Sequence, residues 1–301
     1  MSNKTSFTIK DLENLSGIKA HTIRIWEKRH KIFNPERTTT NIRHYDLTDL
    51  KKILNISLLH KLDYKISFIN NLTDEQINNI VSDSASEIVQ KQHKVDELML
   101  AAITFNSDVF DDTFREMAEI YSFREIFLEV FLKLLEYIGI SWQSSKITPS
   151  HEHFISNCIR QKVFSEIEKL PTAANTKSDE VLVLFLPENE IHELSLLYLH
   201  YEYLSRGYRS VFLGQSTPLE SLLSLQSVYS KITFITKITI QPTAEKLEGY
   251  LTEFEELLLK ENKNQLWVTG PVVTGKEELL SNENVILFNE IEKMLNKKPA
   301  L

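Results

Sequence analysis

The sequence predicts an α plus α/β chain in three parts: a small helical head with a β-wing, a four-helix bundle, and a C-terminal Rossmann-like doubly wound parallel sheet. Three observations carry this. Helical periodicity dominates up to about residue 170, with one turn-rich interruption at Asn34–Asn41. The segment PTAANTKSD, Pro171–Asp179, has the composition of a linker. Beyond it, short apolar runs alternate with amphipathic stretches, the pattern of a parallel sheet covered by helices.

The head comes first. Ser16-Gly17 separates two helical segments, Ile9–Leu15 and Ala20–Lys31. Pro35 and three consecutive threonines suit a wing better than a helix, and Tyr45-Asp46-Leu47-Thr48 leads into a helix near Asp49–His60. Residues 61–94 read as helical, polar and broken at Asn70, Asn71, Asn78 and Asn79. In the bundle, Phe110, Phe114, Met117 and Tyr121 form one apolar helical face. Phe123–Ile138 is more continuously apolar, and Pro149 opens a last helix at a position where its missing N–H costs nothing. In the sheet, strands are expected at Val181–Leu186, Ser210–Leu213, Ile232–Ile240, Gln265–Val268 and Val285–Phe288, with a helix near Leu194–Arg206 after the first. Ligands of such sheets bind beyond the carboxyl ends of the strands. The domains expected are 1–75, 90–170 and 178–301.

Composition narrows the function. Residues 1–60 hold 11 Lys/Arg against 6 Asp/Glu, a formal +5, while the whole chain is −8, which leaves −13 on residues 61–301. A basic head on an acidic body is the footprint of a nucleic-acid module joined to something else. No apolar run approaches the roughly 20 residues that cross a bilayer, and the first 20 residues lack a signal-peptide core. The single cysteine, Cys158, excludes intrachain disulfides and fits a reducing, cytoplasmic location. Neither a hydrolytic triad nor a zinc-ligand cluster is apparent, and seven glycines supply no phosphate-cradling loop. No enzymatic activity and no membrane partner are expected.

The head segment FTIKDLENLSGIKAHTIRIWEKRHKIFNPERTTTNIRHYDLTDLKKIL resembles the DNA-binding head of MerR-family regulators over nearly its full length. The matching positions are Gly17 in the turn, Thr22-Ile23-Arg24 and Trp26-Glu27 in the second helix, Pro35 and Arg37 opening the wing, and Arg43-x-Tyr45 closing it. The resemblance implies a winged helix-turn-helix on double-stranded operator DNA, bound as a dimer or higher oligomer. Lys19, His21, Thr22 and Arg24 stand where a recognition helix reaches bases or phosphates. Arg37, Arg43, His44 and Tyr45 belong to the wing, and Trp26 reads as half core and half phosphate contact.

Two further segments resemble the light- and cobalamin-responsive branch of that family, the CarH/LitR type. Trp142 is followed after nine residues by Glu152-His153, the branch's W-x9-E-H pattern. The resemblance places these residues over the upper corrin face, the indole as an apolar cap and the other two as partners of ribose hydroxyls. Their bland alternative is a packed helix-end tryptophan and a first-turn glutamate. Glu190-Ile191-His192-Glu193-Leu194-Ser195 resembles the D/E-x-H-x-x-G loop, in which the histidine is the lower axial ligand of cobalt and the acid orients it. Residues i and i+2 of a helix do not face each other, so this pairing requires Glu190–His192 to be loop. Gly214, Thr236 and Gly270 match later positions of the cobalamin-binding fold.

Three departures stand out. Ser195 and Thr269 replace glycines of the nucleotide-tail pocket, and Gln143 replaces the histidine that captures cobalt after photolysis in some members. The reading is therefore a transcription regulator whose sensor binds cobalamin, with adenosylcobalamin and photoreception as one form. Cobalamin is expected between bundle and sheet, His192 as its metal-binding residue, with ligand state controlling a homodimer or tetramer and operator binding. The alternative is a regulator whose cobalamin-like domain has lost the cofactor and serves as a dimerisation or partner-binding module.

Overall fold

A computed structural model describes residues 6–83, 86–141, 147–171, 180–260, 263–276 and 282–297. The chain divides into two compact units, Met1–Cys158 and Ile159–Leu301, with the division inside one helix. Trp142 and Gln143 lie outside the described residues.

The first unit opens with α1 (Ile9–Ser16) and α2 (Ala20–His30). Thr8 and Asp11 form a reciprocal capping box that satisfies two otherwise unpaired amides at the start of α1. Gly17 ends it at φ 74°, a left-handed conformation that glycine adopts without a Cβ penalty. The expected wing is a two-stranded antiparallel ribbon of β1 (Glu36–Arg37) and β2 (Arg43–His44). An Asp46/Asp49 capping box then starts α3 (Leu47–Lys61). Phe7 pairs with Tyr45 through two backbone hydrogen bonds of 2.8 Å, which ties the chain's first described turn to the wing stem. Phe7, Leu12, Ile23, Leu50 and Ile53 are buried together as the core of the head.

The polar segment after α3 holds two short helices, α4 (Ile66–Ile69) and α5 (Asp74–Ser82). The bundle follows as α6 (Glu87–Thr104), α7 (Ser107–Ala118), a third helix running from α8 (Phe123–Glu125) through a π-helical turn (Ile126–Phe131) to α9 (Leu132–Ser141), and α10 (Pro149–Glu168). Phe110, Phe114 and Met117 are buried as expected of one apolar face. Their rings meet those of the third helix, Phe110 stacking 5.9 Å and Phe114 6.0 Å from Phe131. Tyr121, at the end of that face, is half-buried and hydrogen-bonds Gln90 through its hydroxyl at 3.1 Å.

The second unit is built on five parallel strands: β3 (Val181–Pro187), β4 (Arg209–Thr217), β5 (Ile232–Lys237), β6 (Gln265–Thr269) and β7 (Val285–Phe288). Their order is β4-β3-β5-β6-β7. Connections from β3 and β5 therefore leave in opposite directions, so the crevice between these strands is the switch point where doubly wound sheets bind ligands. β3 is central and reads apolar throughout because both its faces are covered. Val181, Val183 and Phe185 pack under α12 (Leu219–Gln226) and α13 (Leu247–Phe254). Leu182, Leu184 and Leu186 pack under α11 (Leu194–Ser205) and α14 (Ile291–Asn296).

One strand is shorter than its sequence suggests. The apolar run Ile232–Ile240 leaves the sheet at Lys237, and Thr239–Gln241 turn their amides toward a side chain of another loop.

Candidate functional site

The head exposes a basic surface. Lys19, His21, Arg24 and Arg37 are exposed and Thr22 is partly so. Lys19 pairs with Glu13 at 3.3 Å, and Arg37 donates to Asn41 at 2.8 Å inside the wing. The remaining sequence-selected residues of the head are drawn inward. Trp26 is buried edge-on against His60, with 5.4 Å between ring centroids. Tyr45 is buried with its hydroxyl donating to Glu27 at 2.9 Å, and burial beside that carboxylate raises its pKa. Arg43 forms an ion pair with the same glutamate at 3.0 Å, and His44 meets Ser6 Oγ at 2.7 Å. These contacts fix the wing to α2. Sequence reasoning missed His60 and Lys61, which with Lys19, Thr22 and Trp26 line a cleft of about 320 Å³ beside the recognition helix. Their signal was a histidine and a lysine closing the third helix.

On α10, Glu152 accepts from Ser156 Oγ at 3.3 Å and lies 3.8 Å from His153 Nδ1. His153 is well exposed. Their neighbour His151 acts locally. Its Nδ1 accepts the Thr148 amide at 3.1 Å, capping the helix, while its ring stacks on Phe105.

The loop after β3 carries the most organised polar group in the second unit. Glu190 is 1 % exposed and stands in a loop, with α11 beginning only at Leu194, as its pairing with His192 requires. Its Oε2 accepts three amides of the loop after β5: Thr239 at 3.0 Å, Ile240 at 2.7 Å and Gln241 at 3.0 Å. Its Oε1 accepts the amides of Ile191 at 2.9 Å and His192 at 3.1 Å. The same oxygen lies 2.5 Å from His192 Nδ1. Burial opposes ionisation of this acid, but the amides and the imidazole outweigh it and bring its pKa down to about 2. With the carboxylate as acceptor, Nδ1 is the donor of this contact. That leaves Nε2, on a side chain that is 41 % exposed, as the nitrogen a neutral imidazole in this pose would offer to a metal.

The end of β4 is tied to the same residue, Ser216 donating its amide to the Glu190 backbone carbonyl at 3.2 Å. Around it stand the other sequence-selected residues. Ser195 is buried on the first turn of α11 and accepts a hydrogen bond from Lys237 Nζ at 2.9 Å. Thr236 is fully buried, and among the described residues neither its hydroxyl nor that of Thr239 has a hydrogen-bond partner. Gly270 is required by its own surroundings: a Cβ there would sit 2.3 Å from the Ile238 carbonyl oxygen, at φ +117°. Gly214 leaves ordinary contact room beside Glu193. The structure thus brings Glu190, His192, Ser195, Thr236 and Gly270 to the carboxyl edge of the sheet. Sequence reasoning passed over Lys237, whose signal was a charge in the middle of the triplet Thr236-Lys237-Ile238.

An exposed imidazole lone pair beside buried, unpaired hydroxyls at a switch point suits a large metal-bearing ligand with polar edges, and the residues present fit a corrinoid. With the helix-turn-helix, they define a class: a DNA-binding regulator that carries a B12-binding domain. Residues 7–76 match the MerR HTH family regulatory protein model, and residues 95–164 match the B12 binding domain model. The chain is similar to the HTH-type transcriptional repressor CarH of Myxococcus xanthus, 25 % identical over 297 residues that cover 94 % of this chain and 95 % of that protein. It is also similar to the HTH-type transcriptional repressor CarA of the same organism, 23 % identical over 221 residues, 71 % of this chain and 70 % of that one. Among solved structures, the monomethylamine corrinoid protein of Methanosarcina barkeri shares the fold, with a TM-score of 0.54 at 14 % identity over 65 % of this chain and 93 % of that one. Among the described residues, no helix is long and apolar enough to cross a membrane.

Proposed function

We propose that this regulator reads cobalamin through His192 and converts ligand state into operator binding by changing its own self-association. The observation that carries the reading is the Glu190–His192 pair, in which a buried carboxylate, itself anchored by five amides, holds the ring by Nδ1. When bound, cobalamin would supply a cobalt centre for His192 to hold and the ligand-exchange chemistry, light-driven in an adenosyl form, that sets the sensor's state. The protein's part is to orient the imidazole through Glu190 and to line the site around it with Ser195, Thr236 and Gly270. Glu152, His153 and Trp142 are assigned as further cofactor-binding residues. Lys19, His21, Thr22, Arg24 and Arg37 are the assigned DNA contacts, and association places several heads on one operator, raising affinity by effective concentration. A DNA-binding regulator with this composition acts in the cytoplasm.

The deciding experiment is an absorption spectrum after incubation with adenosylcobalamin in the dark and desalting, for the wild type and for His192→Ala. Retained corrin bands in the first and their loss in the second are expected. Equal retention in both would remove His192 as the ligand. A colourless wild type would select the cofactor-free regulator, in which the sheet domain serves dimerisation or a partner. Green light applied to the coloured protein tests photosensing, and gel filtration before and after tests the change in association.

A further inference from the structure

The lower cradle contains a cation that its fold does not neutralise. Lys237 is the last residue of β5, at the switch point, and its ammonium is held by a single neutral acceptor, Ser195 Oγ, at 2.9 Å. Among the described residues, no carboxylate lies within ion-pair distance of it. The acid nearest in effect, Glu190, is committed to five amides and an imidazole. Burial works against the charge, lowering the lysine's pKa, and the Glu190 field opposes this only in part. Removing an ammonium from water without an anion is costly. A fold that keeps one at a ligand-binding edge, beside two unpaired buried hydroxyls, is arranged for an anion that arrives with the ligand.

We infer that Lys237 is a specificity-determining residue that takes the phosphodiester of the nucleotide tail of cobalamin, with Ser195 as the acceptor that holds its ammonium until then. This rests on the corrinoid reading above and deepens it. The phosphodiester is the anionic group of cobalamin, and a corrinoid lacking the nucleotide tail, such as cobinamide, offers no counterpart. Serine in place of glycine at 195 then has a role: it keeps the lysine pointed along the cradle. Binding exchanges one neutral acceptor for a charged one, and charge-assisted hydrogen bonds are about twice as strong as neutral ones.

Equilibrium titrations of the full chain with cobalamin and with cobinamide, followed by corrin absorbance, test this in the wild type, Lys237→Met and Lys237→Arg. The wild type should prefer cobalamin. Lys237→Met should weaken cobalamin about 10- to 100-fold, the range of one charged hydrogen bond, and leave cobinamide unchanged. Lys237→Arg should recover part of the loss. Equal losses for both corrinoids, or tighter cobalamin binding by Lys237→Met, would overturn the inference, the second result making the lysine a plug. Unchanged thermal unfolding of Lys237→Met excludes misfolding as the cause. Excess inorganic phosphate should compete with cobalamin and not with cobinamide; competition with neither counts against an anion site. A wild type that binds neither corrinoid overturns the corrinoid reading itself, a result distinct from all of these.

Discussion

Glu190→Gln removes one oxygen from a carboxylate that holds two loops and an imidazole in place. Its Oε2 takes three amides and its Oε1 two amides and His192 Nδ1. An amide side chain has one oxygen, so its NH2 must face N–H donors on one side or the other. The magnitude follows from linkage. The folded acid titrates at about 2 against an ordinary value of 4.5, a shift worth about 3 kcal/mol of folding stability at neutral pH. Leaving two or three buried amides without an acceptor costs a similar amount, at about 1–3 kcal/mol each before water reaches them. The sign is that of a depressed acid: the stabilisation is whole above pH 4.5 and is lost as pH falls toward 2. Hydrogen exchange at the Thr239, Ile240 and Gln241 amides is the direct assay. In Glu190→Gln their protection should fall about 100-fold at pH 7, with urea unfolding of the sheet domain shifted to match. Unchanged protection, or a stability difference from wild type that stays constant from pH 7 to pH 3, would refute the reasoning.

Three other outcomes are expected. Gly270→Ala should destabilise the sheet domain by at least about 3 kcal/mol in urea titrations, because its Cβ would meet the Ile238 carbonyl at 2.3 Å on a backbone at φ +117°. Asp96 on α6 lines a cleft of about 140 Å³ against α1 and α3, accepts from Gln92 at 3.1 Å, and is pushed by burial up to about 7, with Lys61 pulling the other way. The fold therefore binds a proton there that the unfolded chain releases near pH 4. Wild-type stability relative to Asp96→Asn should fall by about 2 kcal/mol between pH 5 and pH 8, and a flat difference would return Asp96 to an ordinary surface acid. Arg24→Ala should weaken operator binding and reduce the slope of log K against log salt by about one; a loss of affinity at unchanged slope would mean that Arg24 reads a base and not a phosphate.

Much of the architecture was legible because it rests on short-range rules. Helical period, turn residues and the switch to short apolar runs identified the head, the bundle and the sheet in their order. What escaped depends on partners far along the chain. Ile238 and Ile240 look like strand residues, yet only the Ile238 amide stays with β6, on the Thr269 carbonyl, because Glu190, some fifty residues earlier, captures the three amides after it. The same capture was half visible: the acid two residues before His192 could be read as its partner, but not as the anchor of another loop. In the head, Trp26 and Tyr45 occupy motif positions that a sequence cannot divide between core and contact. The structure buries both and sets Glu27 between Arg43 and Tyr45. The π-helical turn at Ile126–Phe131 left little mark in the periodicity, since the run is apolar at every position but Glu129 and one residue's slip changes little of its pattern.

The backbone pairing of Phe7 with Tyr45 has a practical side. It makes the seventh residue a structural clasp on the stem of the wing, placed two residues before the first helix. Trimming the chain to Thr8 would free the Tyr45 amide and carbonyl and empty a fully buried aromatic site, so a shortened protein should lose wing order before it loses helix content. An affinity tag joined ahead of Ser6 leaves that clasp untouched, whereas one that replaces residues 6 and 7 would be expected to weaken DNA binding with every basic side chain of the recognition helix still in place.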